Sequence, residues 1–329
     1  MGGQLMSVFT RRTILAATAG AVAMAMLPQT AAAQGETIRI IYPYAGGSTV
    51  NGIIRKIAEH MSGTLGQAVV VEDKPGGNGI VATQSVALGP KDGTMVLVGA
   101  SGTLSLNSLL RPNLPYKIED FEPVGMMLKG PLTVTINVDT PVTDMKGLVD
   151  WAKAENRPLR YGTLGPGSVT HLFGILLGKA TGVETIPVAY RNNNAQILDL
   201  LAGQNELNFS TPASLIEHEK AGEVKMLAVT TEERMTNLPE TPTVAEAGFA
   251  MLETSFWDSL MVPKGTPKEV ITRLNEALNA ATQSEEIKTL MAQNSLLSLS
   301  GPPEAVNEQI ASDLDVWGEI VRSEGITLN

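Results

Sequence analysis

The stretch that decides the fold runs from residue 37 to residue 61. Thr37–Tyr42 (TIRIIY) is rich in β-branched residues and predicts a strand. The glycine-rich segment Pro43–Asn51 (PYAGGSTVN) follows it. Apolar residues then recur at helical spacing, at Ile53, Ile54, Ile57, Ala58 and Met61. A strand, a glycine-rich turn and an amphipathic helix in this order predict the first half of a βαβ unit.

The same alternation continues along the chain. Further strands are predicted at Ala68–Glu72, Met95–Gly99, Leu132–Val138, Leu159–Tyr161, Glu206–Phe209 and Met226–Thr230. Helices are predicted at residues 144–154, 169–180, 194–202, 267–282 and 304–323. Strands that alternate with helices of this length indicate an α/β protein with mostly parallel sheets flanked by helices.

Composition excludes several classes of protein. The chain has 329 residues, enough for roughly two domains, and a formal net charge of −10, which argues against a nucleic-acid partner. It has no Cys, so thiolate metal sites and cysteine nucleophiles are excluded. Its histidines, His60, His171 and His218, form no pair at metal-ligand spacing. We therefore expect neither a metal nor a cofactor.

Residues 1–33 have the three parts of a secretory signal peptide. Arg11 and Arg12 precede a mostly apolar run of about 15 residues, and the small residues Thr30–Ala33 follow. Cleavage near Ala33 predicts a periplasmic mature protein. The paired arginines fit twin-arginine export or an ordinary Sec signal, and an uncleaved amino-terminal anchor is the alternative to cleavage.

Two loops at predicted strand ends resemble each other. Residues 43–51 and residues 162–171 are both rich in Gly and hydroxyl side chains, and both lead into a helix. Such loops present backbone N–H groups to an anion, with the helix dipole behind them. The alternative is that Ser48, Asn51 and Ser168 only cap helices. Because two matched loops occur in separate halves of the chain, a binding cleft is about as good an interpretation as helix capping alone.

No motif demands catalysis. Gly77–Ala82 matches a dinucleotide-binding fingerprint, but Met95–Ala100 lacks the acidic residue that would hold a ribose. The segment around Ser101 breaks the nucleophile-elbow pattern. His171 has no neighbour in sequence that would orient it as a general base. We predict no catalytic residue.

Motifs in a fixed order then identify a family resemblance. They are Tyr42–Gly47, Leu65–Gly79, Leu114–Tyr116, Asp120–Val124, Gly165–Ser168 with His171, Val188–Arg191 and Leu238–Gly248. Together they resemble the Bug-type solute receptors of tripartite tricarboxylate transporters, over residues 36 to 326. The resemblance implies a two-lobed periplasmic-binding-protein-like fold whose lobes are joined by two crossing strands. Lobe one would be residues 35–136 plus 259–329, and lobe two residues 137–258.

The resemblance also implies the site. The ligand-binding residues carried over from the family are Tyr44, Ala45, Gly46, Gly47, Ser48, Thr49, Asn51, Ser101, Thr103, Gly165, Gly167, Ser168, Thr170, His171, Tyr190, Arg191 and Ser210. Asn51 and Ser210 stand where the family often has Asp, and both changes remove negative charge. They predict a carboxylate ligand without an ammonium group, unless both side chains point elsewhere. Arg191 is the one cation in these loops, and either binds the carboxylate or pairs with a surface acid.

The resemblance implies a monomeric receptor that binds a small mono- or dicarboxylate, aromatic acids included. It would deliver this ligand to integral membrane transporter subunits. Two alternatives remain open. An exported enzyme could reuse the two-lobed fold to act on a carboxylate, and a receptor of this kind could serve a membrane sensor instead of a transporter.

Overall fold

The first strand and helix form where the sequence predicts them. In the computed structural model, Ile38–Tyr42 is a buried strand and Thr49–Leu65 is a helix. Ser48 caps this helix, because its hydroxyl accepts a hydrogen bond from the Asn51 N–H (3.1 Å). Gly66 ends the helix in the left-handed conformation (φ 62°), which glycine adopts without steric cost.

The structure describes residues 35–235, 237–323 and 325–328. The predicted signal peptide and its cleavage site near Ala33 lie outside these residues. Within the described part of the chain, no helix combines the length and the apolar character needed to cross a bilayer.

Strands and helices alternate through the rest of the chain. The strands are β1 (Ile38–Tyr42), β2 (Val69–Asp73), β3 (Met95–Ala100), β4 (Phe121–Pro131), β5 (Thr133–Asn137), β6 (Leu159–Thr163), β7 (Thr185–Ala189), β8 (Leu207–Asn208), β9 (Val224–Val229), β10 (Ser255–Pro263) and β11 (Leu297–Ser298). The helices are α1 (Thr49–Leu65), α2 (Ile80–Ala87), α3 (Asn107–Leu110), α4 (Met145–Ala154), α5 (Val169–Thr181), α6 (Asn193–Leu201), α7 (Ile216–Lys220), α8 (Lys268–Gln283), α9 (Glu285–Gln293) and α10 (Glu304–Ser323).

The strands form two mixed sheets. In the first sheet the order is β11-β4-β10-β3-β1-β2, and in the second it is β7-β6-β8-β5-β9. β1 is parallel to β2 and β3, and β6 is parallel to β7 and β8. The pairings of β4, β5 and β10 are antiparallel. The two-sheet α/β fold is therefore confirmed, but the sheets are mixed instead of mostly parallel, because the strands that flank the crossings run against their neighbours.

The chain crosses between the sheets twice. β4 ends at Pro131 in the first sheet, and β5 begins at Thr133 in the second. The chain returns between the end of β9 at Val229 and the start of β10 at Ser255. The last residues of the first segment of predicted lobe one, 134–136, pair within the second sheet. The last residues of predicted lobe two, 255–258, pair within the first sheet. The lobe boundaries given above stay a prediction.

Helices cover both faces of the first sheet. On one face, α1 and α8 bury Ile53, Ile54 and Leu274 against Ile40 and Val98. On the other face, α2 and α10 pack around Ile41, Leu97 and Trp257. Burial of apolar surface on both faces stabilises the sheet and leaves its strand ends open, which is where the loops emerge.

α10 contacts the cores of both sheets. Val306 and Ile310, in its first half, pack in the core of the first sheet. Trp317 and Val321, in its second half, pack in the core of the second sheet, next to Phe173 of α5. One helix of 20 residues therefore links the two halves of the molecule besides the two crossings.

Candidate functional site

The loop between β1 and α1 presents a row of backbone donors. The N–H groups of residues 44–48 donate no hydrogen bond to any residue that the structure describes. Gly47 takes a positive φ of 88°, a turn conformation that favours glycine. Gly46, Gly47 and Thr49 are exposed, and Tyr44, Ala45 and Ser48 are half-buried. Free N–H groups at the positive end of a 17-residue helix can bind a carboxylate.

Asn51 lies behind this loop and is already hydrogen-bonded. Its amide donates to Asp73 Oδ1 (2.8 Å), and its Oδ1 accepts from Arg55 Nε (3.1 Å). Arg55 and Asp73 form an ion pair at 2.8 Å. Asp73 Oδ2 would lie only 2.3 Å from a Cβ on Gly46, so the loop needs glycine at that position. The carboxamide of Asn51 therefore supports the loop, and the missing charge at residue 51 bears less on the ligand than the sequence suggested.

The loop after β3 lies against the first loop. It opens a short π-helical turn, Gly102–Leu106, a geometry often found at functional sites. Thr103 is buried, and its hydroxyl is bonded to both the N–H (2.9 Å) and the carbonyl (3.1 Å) of Ala100. Ser101 is buried as well, and its hydroxyl makes no hydrogen bond with a described residue. The Tyr44 hydroxyl lies 2.9 Å from the position of a Cβ on Gly102.

Three hydroxyls are linked in the second loop. Ser168 Oγ lies 2.8 Å from Thr163 Oγ1 and 3.1 Å from Thr170 Oγ1, and all three side chains are buried. Ser168 also caps α5. The Thr170 hydroxyl accepts from the Leu164 N–H (3.2 Å). These hydroxyls hold the loop in shape, and Gly165 takes a positive φ of 105° there.

His171 is neutral in this environment. Its Nδ1 accepts a hydrogen bond from the Gly167 N–H (3.2 Å), which places the remaining proton on Nε2. Burial lowers the pKa of the ring below its usual value. The Tyr161 hydroxyl donates to the His171 carbonyl (2.9 Å). The ring is thus a hydrogen-bond donor at Nε2, which a carboxylate oxygen could accept.

The second loop contacts the first half of the molecule. A Cβ on Gly167 would lie 3.4 Å from both Asn78 Nδ2 and Asn107 Oδ1. Arg111 donates to the Pro166 carbonyl (3.3 Å). The second loop therefore lies against the segments that contain Asn78, Asn107 and Arg111.

Sequence reasoning missed the two asparagines that lie next to Gly167 of the second loop. Asn107 is fully buried and bonds to the Asn78 carbonyl (3.1 Å) and to the Tyr116 hydroxyl (3.1 Å). Asn78 has a positive φ of 53°, and its Oδ1 is buried without a partner among the described residues. The sequence analysis assigned no role in the site to Gly77–Gly79, although Asn between two glycines is a signal for this conformation.

Tyr190 and Arg191 differ in their environment. The Tyr190 hydroxyl donates to Asp199 (2.6 Å) and accepts from Asn205 (2.6 Å), so its hydrogen bonds are internal. Burial and the neighbouring Asp199 raise its pKa. Arg191 is exposed and makes no hydrogen bond or ion pair with a described residue. Its guanidinium is therefore free to reach a ligand.

Ser210 belongs to a cluster of amides that the sequence did not reveal. Its hydroxyl lies 2.8 Å from Asn193 Oδ1 and also bonds to Asn208 Oδ1. Asn208 Nδ2 and Gln196 Oε1 are buried and have no hydrogen-bond partner among the described residues. The cluster is neutral, as the absence of Asp at residue 210 predicted.

Away from these loops, the structure shows an ion-pair cluster beside a surface cavity. The cavity has a volume of about 420 Å³ and is lined by Trp151, Arg157 and Glu206 among others. Burial opposes ionisation of Glu206, but hydrogen bonds from Arg160 and Arg157 lower its pKa to about 2. Over residues 35–235, 237–323 and 325–328, no group of three His, Cys, Asp or Glu side chains is arranged to hold a metal ion.

Known proteins share this architecture. A Rhodopseudomonas palustris protein whose structure contains adipate is 30% identical, with a TM-score of 0.82, over 88% of this chain and 98% of that one. MatC from Rhodopseudomonas palustris, solved with bound malate, is 25% identical, with a TM-score of 0.80, over 87% and 98%. BugT of Bordetella pertussis is 30% identical over 293 residues, 88% of this chain and 90% of that protein.

The fold and its loops define a periplasmic-binding-protein-like molecule of two mixed α/β sheets. The model of the tripartite tricarboxylate transporter family receptor matches residues 53–326. The chain belongs to this family of solute-binding receptors, as the order of its motifs predicted.

Proposed function

We propose that the protein binds a small organic mono- or dicarboxylate, aromatic acids included, in the cleft between the two Gly-rich loops. On this proposal it is a periplasmic monomer that delivers the ligand to integral membrane transporter subunits. The observation that carries the proposal is the row of free N–H groups at residues 44–48, at the N-terminus of α1. Malate and adipate in two structural relatives support the same class of ligand.

Ligand binding would close the two halves of the molecule around the carboxylate. The first loop, Ser101 and the second loop would provide donors from both sides, and contacts with both sides stabilise a closed state. The neutral His171 and the free Arg191 would add donors from the second half. Tyr190 would contribute its ring, since its hydroxyl is bonded internally.

A thermal-shift panel tests the proposal. The purified protein is heated with succinate, malate, adipate, citrate, benzoate, nicotinate, aspartate and glutamate. A ligand present at about 100 times its Kd should add ~2.7 kcal/mol to the free energy of unfolding, or roughly 5–10 °C in Tm. Recovery of the ligand unchanged supports a receptor. Conversion of the ligand would favour the enzyme alternative, and a panel without any shift would contradict carboxylate binding.

The panel also tests the prediction that the ligand has no ammonium group. Calorimetric titrations should give tighter binding of simple dicarboxylates than of aspartate or glutamate. The opposite ranking would sink this prediction and leave the receptor function intact.

Arg191→Gln is expected to weaken carboxylate binding about tenfold. Loss of one charge-assisted hydrogen bond costs on the order of 1.5 kcal/mol, which corresponds to that factor in Kd. Lys268→Gln is a matched control, because it also removes an exposed positive charge that makes no ion pair with a described residue but lies at the start of α8. Equal affinities of both variants and the unmodified protein would mean that Arg191 does not contact the ligand.

A further inference from the structure

Asp258 lies on the central strand β10, near the end of the first sheet where its strands lead into the binding loops. It stands on β10 opposite Ala100, the last residue of β3, and opposite Leu128 of β4. Tyr42, the last residue of β1, lies at the same end of the sheet. Strand alternation places Asp258 on the same face as Leu260, which packs in the core that α1 and α8 cover. The first loop leaves from the end of β1, which is separated from β10 by β3 alone.

The carboxyl of Asp258 has no partner. The residue is 4% exposed, and its side chain makes no hydrogen bond or ion pair with any residue that the structure describes. Two phenols are electrostatically coupled to it: burial raises the pKa of Tyr42 and Tyr44, and the charge of Asp258 raises both further. Asp73, which also acts on Tyr42, is paired with Arg55.

The other elements packed against this face add no charge. β3 and β4 place Ala100 and Leu128 beside Asp258, and α1 and α8 contribute Ile53, Leu274 and other apolar side chains to the core of this face. A cation that could compensate a buried carboxylate is therefore missing from the described surroundings. An unpaired buried carboxyl is favoured in its neutral form, because desolvation penalises the charge. Burial accordingly raises the pKa of Asp258 to about 7.

We propose that Asp258 belongs to the ligand site and that its neutral carboxyl donates a hydrogen bond to a carboxylate oxygen of the ligand. Ligand binding then takes up a proton from solvent, because the ionised form of Asp258 repels the same oxygen. The proton stays on Asp258 and is shared with the ligand, and no covalent bond changes. This inference rests on the proposed carboxylate-binding function and names a residue outside the loops that carry it.

Proton uptake can be measured directly. Succinate, malate and adipate are titrated into the purified protein by calorimetry from pH 6 to pH 8.5, in buffers of low and high ionisation enthalpy. Above pH 7, Kd is expected to rise up to tenfold for each pH unit, and uptake should approach one proton at pH 8. Above pH 7 the carboxylates of the probes are almost fully ionised, so they do not supply the effect.

Two variants test whether Asp258 is the group that takes up the proton. Asp258→Asn keeps a hydrogen-bond donor and cannot ionise, so it should abolish proton uptake and bind up to about tenfold more tightly than the unmodified protein at pH 8. Asp313→Asn is the control. Asp313 is also buried, but it accepts hydrogen bonds from Trp257 (2.9 Å) and Gln309 (2.9 Å) on the opposite face of the sheet. Its substitution should leave uptake unchanged.

Three results separate the possibilities. Undiminished uptake in Asp258→Asn, or binding without uptake in the unmodified protein, overturns this inference and leaves the carboxylate receptor standing. Proton release, with affinity that increases with pH, overturns it as well, because Asp258 would then be ionised in the complex. If none of the three probes binds, the proposed function fails, and the role of Asp258 fails with it.

Discussion

Asp258→Asn is expected to make the ligand-free protein more stable at pH 8 by up to about 4 kcal/mol, with little difference at pH 4. The reason is the buried, unpaired carboxyl, whose pKa desolvation raises from 3.8 to about 7. Between these two values the unfolded chain releases a proton that the folded protein keeps. The free energy of unfolding therefore falls by about 1.4 kcal/mol for each pH unit and levels off above pH 7. The amide of Asn does not titrate, so the free energy of unfolding of the variant does not fall in this way.

Urea unfolding of both proteins at pH 4, 5, 6, 7 and 8 measures this effect. The quantity of interest is the difference between the two proteins, because other carboxylates titrate in both. Asp92→Asn is a control of opposite sign, since hydrogen bonds from the Thr94 side chain and N–H lower the pKa of Asp92. That variant should gain no stability at high pH. A difference between Asp258→Asn and the unmodified protein that is constant over the whole range would show that the carboxyl is ionised and solvated.

Gly174→Ala is expected to destabilise the protein by about 2 kcal/mol or more. A Cβ at residue 174 of α5 would lie 2.0 Å from Cζ of Tyr161, a fully buried ring. The ring is held by Phe209 (5.4 Å between centroids), which in turn contacts Phe173 (4.7 Å). Overpacking of a rigid core costs 1–3 kcal/mol and sometimes more, which exceeds the gain of up to ~1 kcal/mol from the helix propensity of Ala.

The effect should reach the binding loop. The Tyr161 hydroxyl holds the His171 carbonyl, so a displaced ring would move the start of α5 and weaken ligand binding. Gly63→Ala is the matched control, because Gly63 lies in α1, is exposed and has nothing within 4 Å of its Cβ position. It should stabilise the protein by ~0.5–1 kcal/mol. Equal unfolding midpoints for the two variants in chemical denaturation would refute the packing argument.

Local physical chemistry made much of the fold predictable. The isoleucines of α1 recur at helical spacing, and Ser48 and Gly66 stop the helix at both ends, so its position follows from about 20 neighbouring residues. The prediction of residues 304–323 as a helix is confirmed at both ends. Ser48 and Ser168 cap the helices that they precede, which is again a local interaction.

Elements that depend on distant partners were missed. β4 contains Pro123, Gly125 and Gly130, which disfavour strands, but it pairs with β10 and β11 on its two sides. The alternation of strands and helices also suggested parallel pairing throughout. It carries no information on the direction in which the crossing segments enter a sheet.

The sequence by itself determined the α/β class, the family and the two Gly-rich loops, because these depend on residue types at short spacing and in a fixed order. Tertiary structure alone decided which groups at the site are free. Asn51 is bonded to Asp73, 22 residues away, and Tyr190 to Asp199 and Asn205. Asp258 is brought beside Tyr42 without any partner. Hydrogen bonding and desolvation act over a few ångströms in space, whatever the separation along the chain, so only the folded protein determines them.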